Sequence, residues 1–209
     1  FSYDDGDRLQ TAVDAAGKIN YTYDDADNLL KIVENNEEIE FDYNEINQIV
    51  SYKDTFGNVV SFTYDEDGNM SSIIYPGNKV VTYDYDLNGR LIKVTDWNNN
   101  ETLYAYDDNG KLVRTDKPDG SSEIRAYFET GQLSRISIVN ANGDVLYDTA
   151  YGYDEVGNLT EENNIVGGYP FVPVDAVSMS YGTDNRLTEI NHQSVVFDAD
   201  GNMIEGPLL

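Results

Sequence analysis

Residues 84–96 read DYDLNGRLIKVTD, and residues 104–112 read YAYDDNGKL. Both contain the same seven-residue unit: an aromatic (Tyr85, Tyr106), Asp, two variable residues, Gly (Gly89, Gly110), a cation and Leu (Leu91, Leu112). Each position has a physical reading. The Asp can accept backbone hydrogen bonds at the start of a turn, and the Gly supplies a left-handed backbone at its end. A type I turn closed by a left-handed bulge residue fits that order. The unit is therefore a hairpin turn between two strands.

Working outward, the unit recurs ten times, beginning at Tyr3, Tyr23, Tyr43, Tyr64, Tyr85, Tyr106, Tyr127, Tyr153, Tyr181 and Phe197, with spacings of 20, 20, 21, 21, 21, 21, 26, 28 and 16 residues. The second residue is Asp in seven copies and Asn in one. The fifth is Asp7, Asp27, Asn47, Gly68, Gly89, Gly110, Gly131, Gly157, Asn185 or Gly201, all types that tolerate positive φ. The sixth is Arg, Lys, Asn or Gln, and the seventh Leu, Ile or Met. A second turn lies seven residues before the aromatic, at Gly57, Asn78, Asn99 and Gly120, with Gly17 and Gly143 similarly placed. Another aromatic stands two residues before it, at Tyr21, Phe41, Phe62, Tyr83, Tyr104 and Tyr151. A spacing of two puts both rings on one face of a strand.

Each period is then strand, turn, strand, turn, and short connections force antiparallel neighbours. The expected fold is all-β: a repeat array of antiparallel hairpins forming a long curved or spiralling sheet. An aromatic–aliphatic ladder is expected on one face, with polar residues mostly on the other. The whole of 1–209 reads as one repeat domain, with an irregular loop at 163–176, where Gly167, Gly168, Pro170 and Pro173 interrupt the spacing. The last hairpin, around Gln193, is expected to be short.

Composition bounds the function. Of 209 residues, 39 are acidic and 13 basic, a net charge of −26. That charge repels phosphate backbones and anionic membrane surfaces. The absence of cysteine excludes disulfides, thiolate metal sites and a Cys nucleophile. Apolar runs are only a few residues long, so no membrane insertion is expected. Seventeen Tyr and seven Phe argue against an acidic disordered chain.

The tyrosine–aspartate unit with Gly and Leu at fixed offsets resembles the YD repeat of the Rhs family, closest at 84–96, 104–112 and FDADGNMIEGPLL (197–209). That family includes bacterial polymorphic toxins, the B–C cage of insecticidal toxin complexes and teneurins. The resemblance implies a spiralling hairpin sheet wrapped into a hollow shell, which in the toxins encloses a C-terminal effector. The family's terminal self-cleavage motif is not found here, so only the scaffold is carried over. The expected role is a non-catalytic shell segment of a larger bacterial protein, secreted or surface-displayed. The chain opens on Phe1 inside a repeat and carries no visible signal, so it reads as a fragment. The partners implied are adjacent repeats and an enclosed effector. Self-association through unpaired sheet edges is a further expectation.

Catalytic constellations were weighed against this reading. The single histidine, His192, is expected in an exposed turn rather than as a catalytic base. No pair among the many acidic residues is singled out for glycoside cleavage. The segments Asp65–Asn69 and Asp198–Asn202 resemble calcium loops, but their Gly is fourth rather than sixth and no bidentate Glu follows. No cofactor is expected beyond weak calcium binding by the acidic surface. The alternative function is a carbohydrate- or cell-surface-binding module using exposed aromatics, with Trp97 in the turn DWNNN as the glycan contact.

Overall fold

A computed structural model describes residues 1–14, 17–166, 172–173, 177–182, 185–198 and 201–206. Every element among them is a strand, and every pairing is antiparallel. No helix is long and apolar enough to cross a membrane. The chain divides into two compact units, Phe1–Glu101 and Thr102–Leu209.

In the first unit the strands are β1 (Ser2–Tyr3), β2 (Leu9–Val13), β3 (Lys18–Tyr23), β4 (Leu29–Glu34), β5 (Glu37–Tyr43), β6 (Ile49–Lys53), β7 (Val59–Tyr64), β8 (Met70–Tyr75), β9 (Lys79–Tyr85) and β10 (Leu91–Thr95). Each pairs with the next in a continuous meander. The register sets the two faces. Tyr21 faces Ile32, Ile32 faces Ile39, Phe41 faces Tyr52, Tyr52 faces Val60, and Phe62 faces Ile73. Opposed residues share a face, so these form the aromatic–aliphatic ladder. The other face pairs Lys31 with Glu40, Glu40 with Lys53, Ser51 with Ser61, and Asp84 with Lys93. It carries ion pairs of 3.1 Å for Lys31–Glu40, 2.8 Å for Lys53–Glu40 and 2.8 Å for Lys93–Asp84. Being partly exposed, these pairs stabilise the sheet little.

In the second unit, β11 (Glu101–Tyr106), β12 (Leu112–Asp116), β13 (Ser122–Tyr127), β14 (Leu133–Val139), β15 (Val145–Tyr153) and β16 (Leu159–Val166) continue the same pattern. The strands β14 and β15 are long, at 7 and 9 residues, which accounts for the 26-residue interval between Tyr127 and Tyr153. Within 163–176, residues 163–166 extend β16, and β17 (Val172–Pro173) pairs with it at Ile165 and Val166. The glycines and Pro170 of that segment lie outside the described residues. The next strand, β18 (Val177–Tyr181), also pairs with β16, farther along, and then with β19 (Leu187–Ile190). From β19 the chain turns into β20 (Gln193–Ser194) through Asn191 and His192, both at positive φ (50° and 64°). Two such residues make a tight primed turn, so the hairpin is short and His192 is exposed. A last hairpin joins β21 (Val196–Phe197) and β22 (Met203–Glu205).

The ladder face departs from pure apolarity in the second unit. Glu123 faces Ile138, Thr149 faces Asn164 and Tyr151 faces Glu162 on it. Thr149 is fully buried, and its hydroxyl donates to Asn164 Oδ1 at 2.6 Å. Asp148, on the opposite face, is 6% exposed and accepts from the Arg135 guanidinium and from the Ser137 hydroxyl.

Among the described residues the only buried hydrophobics are Val81, Ile190 and Val195. Stability therefore rests on half-buried neighbour contacts and on turn chemistry, as in other repeat arrays. Gly89 has φ +73°, and a Cβ there would meet nothing closer than 3.8 Å. Substituting Val at this position forces a β-branched residue into the left-handed region, and about 2 kcal/mol should be lost. Leu87, at 106% relative exposure, should lose less than about 0.5 kcal/mol as Ala. Urea unfolding of the two variants checks this; equal midpoints would remove the turn assignment.

Candidate functional site

The seven-residue unit builds the same local structure at every copy. Its fifth residue has positive φ in all ten, from 59° at Asp7 to 98° at Gly131. Gly68, Gly89, Gly110, Gly131, Gly157 and Gly201 all take this conformation. In each copy the first residue pairs with the seventh across a register shift, for example Tyr23 with Leu29 and Phe197 with Met203. In the Asp86 turn, the Gly89 N–H donates to the Asp86 carbonyl at 2.9 Å, and the Asp86 N–H to the Arg90 carbonyl at 2.9 Å. The Asp86 Oδ1 accepts from the N–H groups of Asn88 (2.9 Å) and Arg90 (3.0 Å).

The sixth position has a role that spacing alone did not supply. Its side chain reaches back to the turn acid: Arg90 Nε donates to Asp86 Oδ2 at 2.7 Å, and Asn69 Nδ2 to Asp65 Oδ2 at 3.0 Å. It also reaches forward to the fifth residue of the next unit. Arg8 donates to Asp27 at 2.7 Å, Asn28 to Asn47 at 2.8 Å, and Gln48 to the Gly68 carbonyl at 3.0 Å. Arg, Lys, Asn and Gln share what this needs, a side-chain N–H donor on a stem of some length. The opposite turns reuse the acid device, with Asp54 accepting from Asn58 and Asp96 from Asn100.

The tyrosine hydroxyl explains why the first position is so seldom Phe. Tyr23, Tyr43, Tyr64, Tyr85 and Tyr127 donate to the carbonyls of Leu9, Leu29, Ile49, Met70 and Leu112, at 2.7–3.0 Å. Each acceptor is the seventh residue of the preceding unit, where the ladder has opened: β2 and β3 are paired only from Thr11, and β8 and β9 only from Ser72. The phenol satisfies a carbonyl that the splayed strand no longer reaches. Tyr3 is 60% exposed, and Tyr181 meets Met179 Sδ at 3.8 Å.

The turn carboxylates of Asp4, Asp24, Asp65, Asp86 and Asp154 are held below the usual range. For Asp65 the largest cause is the Asn69 side-chain hydrogen bond, for Asp154 that of Asn158, and for Asp86 the Arg90 backbone N–H. A lowered folded-state value gives stability that is complete above the unfolded carboxyl value near 3.8 and is lost as pH falls through the folded values. Urea midpoints should therefore stay level from neutral pH to about pH 5 and fall steeply below about pH 4. Substituting Asn for the turn Asp should flatten that fall, because Asn44 already holds the same turn through the N–H groups of Ile46 and Gln48. An unchanged acid limb in a variant carrying several such substitutions would refute the assignment.

Trp97 is 48% exposed at the turn between β10 and β11. Its ring meets Tyr75 edge-on at 6.0 Å, and the Lys79 ammonium lies 5.3 Å from its centroid. A hollow of about 240 Å³ beside it is lined by Val80, Thr82, Thr95, Asp96 and the amides of Asn78 and Asn99. The calcium-like segment at Asp65 is this hairpin turn, with both carboxylate oxygens engaged; in the one at Asp198, residues 199 and 200 lie outside the described residues. Among the described residues no group of three or more acids or histidines is placed to hold a metal ion.

The phenols and sixth-position donors join one repeat to the next, while the turn acids hold their own turns. Structures similar to this chain include the TcdB2-TccC3-Cdc42 complex (TM-score 0.59, 15% identity, 95% of this chain and 14% of that one). Others are TcdB2-TccC3-TEV (TM-score 0.59, 16% identity, 97% and 14%) and a Photorhabdus luminescens Tc holotoxin pore (TM-score 0.54, 12% identity, 94% and 14%). The chain thus spans only 14% of the length of the chains it matches. No curated protein sequence is matched. A family model, the Teneurin YD-shell, matches residues 1–175, and the chain belongs to that family.

Proposed function

We propose that this chain is a non-catalytic wall segment of a YD-repeat shell that encloses or presents a C-terminal effector in a secreted or surface-displayed bacterial protein. The observation that carries the reading is the repeated stitch between units: phenol to carbonyl, and sixth residue to fifth. Such stitches extend a sheet by addition of similar steps. The test uses the native full-length protein. Its C-terminal region should resist protease while the wall is intact and be cut rapidly in a Tyr64→Asp/Tyr85→Asp variant. Equal cleavage of both proteins would overturn the enclosure.

A second reading, saccharide binding at Trp97, is favoured by the hollow beside the ring and its lining of hydroxyls and amides. Binding to a glycan array that is lost on Trp97→Ala would support it; binding unchanged by that substitution would not.

A further inference from the structure

The unit at 127–133, YFETGQL, is the one copy whose second residue is aromatic, Phe128. The turn forms without the usual acid: the Gly131 N–H donates to the Phe128 carbonyl at 2.9 Å, and the Phe128 N–H to the Gln132 carbonyl at 2.9 Å. The Phe128 side chain is thus free of the turn, and it is 43% exposed. Its ring stands perpendicular to that of Tyr153, the first residue of the next unit, with centroids 6.2 Å apart. Beside the pair lies an open groove of about 500 Å³, whose lining also includes Glu129, Gln132, Asp154 and Glu155.

Other repeats show what this position receives. Where the sixth residue is a cation it can lie over the tyrosine of the next unit: the Arg8 guanidinium is 5.0 Å from the Tyr23 centroid, and the Lys111 ammonium 5.2 Å from that of Tyr127. The second residue of one unit also brings its carboxylate near the next tyrosine. Burial first, and then Asp24, push the Tyr43 hydroxyl up, as burial and Asp65 do for Tyr85. Before Tyr153 the sixth residue is the neutral Gln132, as Gln48 is before Tyr64, and the acid is replaced by Phe128. The hydroxyl link differs too: among the described residues Tyr153 makes no bond equivalent to Tyr127 with Leu112. The result is two aromatic rings with three carboxylates at the rim.

We propose that this groove binds an alkylammonium cation, seated against Phe128 and Tyr153 with Glu129, Asp154 and Glu155 supplying the field. Ring faces attract a cation through their quadrupole, and nearby carboxylates raise its local concentration. An ammonium suits the groove better than a bare metal ion. Phe128 contributes no ligand atom, and Asp154 already accepts from the N–H groups of Val156 and Asn158. The cation could belong to a free quaternary ammonium compound or to a lysine side chain of a partner protein; the chemistry is the same.

Choline and its neutral carbon isostere, 3,3-dimethylbutan-1-ol, are the probes, titrated into the whole chain while amide resonances of Gly131 and Gly157 are followed. Choline should give saturable shifts and the isostere none. Phe128→Ala should weaken choline binding about five-fold, the order of one cation–π contact, with the fold unchanged. Glu129→Gln/Glu155→Gln should weaken it further and reduce its salt dependence. A trimethyllysine peptide binding far more tightly than choline would support the site and assign it to a protein partner; comparable binding would support the site for a free ligand. No saturable shift, equal shifts with the isostere, or full binding by the Phe128→Ala variant would overturn the proposal.

Discussion

Tyr85→Ala should destabilise the first unit by about 3 kcal/mol, and Tyr85→Phe by about 1 kcal/mol. The phenylalanine variant isolates the hydroxyl, which donates to the Met70 carbonyl at 2.9 Å. A neutral hydrogen bond contributes about 1 kcal/mol net, and its loss here leaves a carbonyl that the ladder does not reach. The alanine variant also removes a half-buried ring from the ladder face. Full truncation of a core aromatic costs about 3–5 kcal/mol, and a half-buried one should lose about half of that. Together the two losses give the larger figure. Tyr3→Phe is the internal control: Tyr3 is 60% exposed and its hydroxyl has no equivalent bond among the described residues, so its midpoint should not move. Urea denaturation followed by near-ultraviolet circular dichroism measures all three. Equal shifts for Tyr85→Phe and Tyr3→Phe would show that the hydroxyl stitch contributes nothing.

Much of the fold was legible because the turn chemistry is local. Positive φ at the fifth residue, the acid at the second and the paired first and seventh residues all follow from seven consecutive positions, so their reading needed no long-range information. The sixth residue was different. Its four residue types look unrelated until its two partners, the acid behind it and the next unit's fifth residue ahead, are both in place. The preference for Tyr over Phe was likewise opaque, because its acceptor lies in the previous repeat, 14 or 15 residues away. The tight turn at Asn35 and Asn36, both at positive φ, carries its signal in the Asn–Asn pair rather than in a glycine. Phe128 departs from the motif in the sequence, but its meaning depends on Tyr153, which lies 25 residues on and in a different hairpin.

The acidity has a structural address in these turns. Asp4, Asp24, Asp54, Asp65, Asp86, Asp96 and Asp154 are all lowered by turn hydrogen bonds. They act as acceptors for backbone N–H groups that would otherwise meet only water. The charge they leave on the rims keeps exposed turns from pairing with other chains. At Glu129, Asp154 and Glu155 the same by-product becomes the field around an open aromatic groove.

Gly120→Ala should be the most damaging single methyl in the second unit, at about 3 kcal/mol. Two effects add there. The backbone at Gly120 has φ +80°, which costs an L-residue about 1–2 kcal/mol. A Cβ would also stand 2.7 Å from the Cβ of Ala141 in the neighbouring turn on the same rim, an overlap that neither small residue can relieve by rotating a side chain. Overpacking of this kind costs about 1–3 kcal/mol. Gly143 separates the terms: its φ is +86°, and nothing lies within 4 Å of the added carbon, so Gly143→Ala should lose only the conformational part, about 1–2 kcal/mol. The overlap should in turn be removable. Ala141→Gly on its own should change stability by less than about 1 kcal/mol, and combined with Gly120→Ala it should bring the double variant close to Gly143→Ala. A double-mutant cycle by urea unfolding reads the coupling directly. Additive effects of Gly120→Ala and Ala141→Gly would mean that the two turns do not touch, and with that the close stacking of adjacent repeats along this rim would fall.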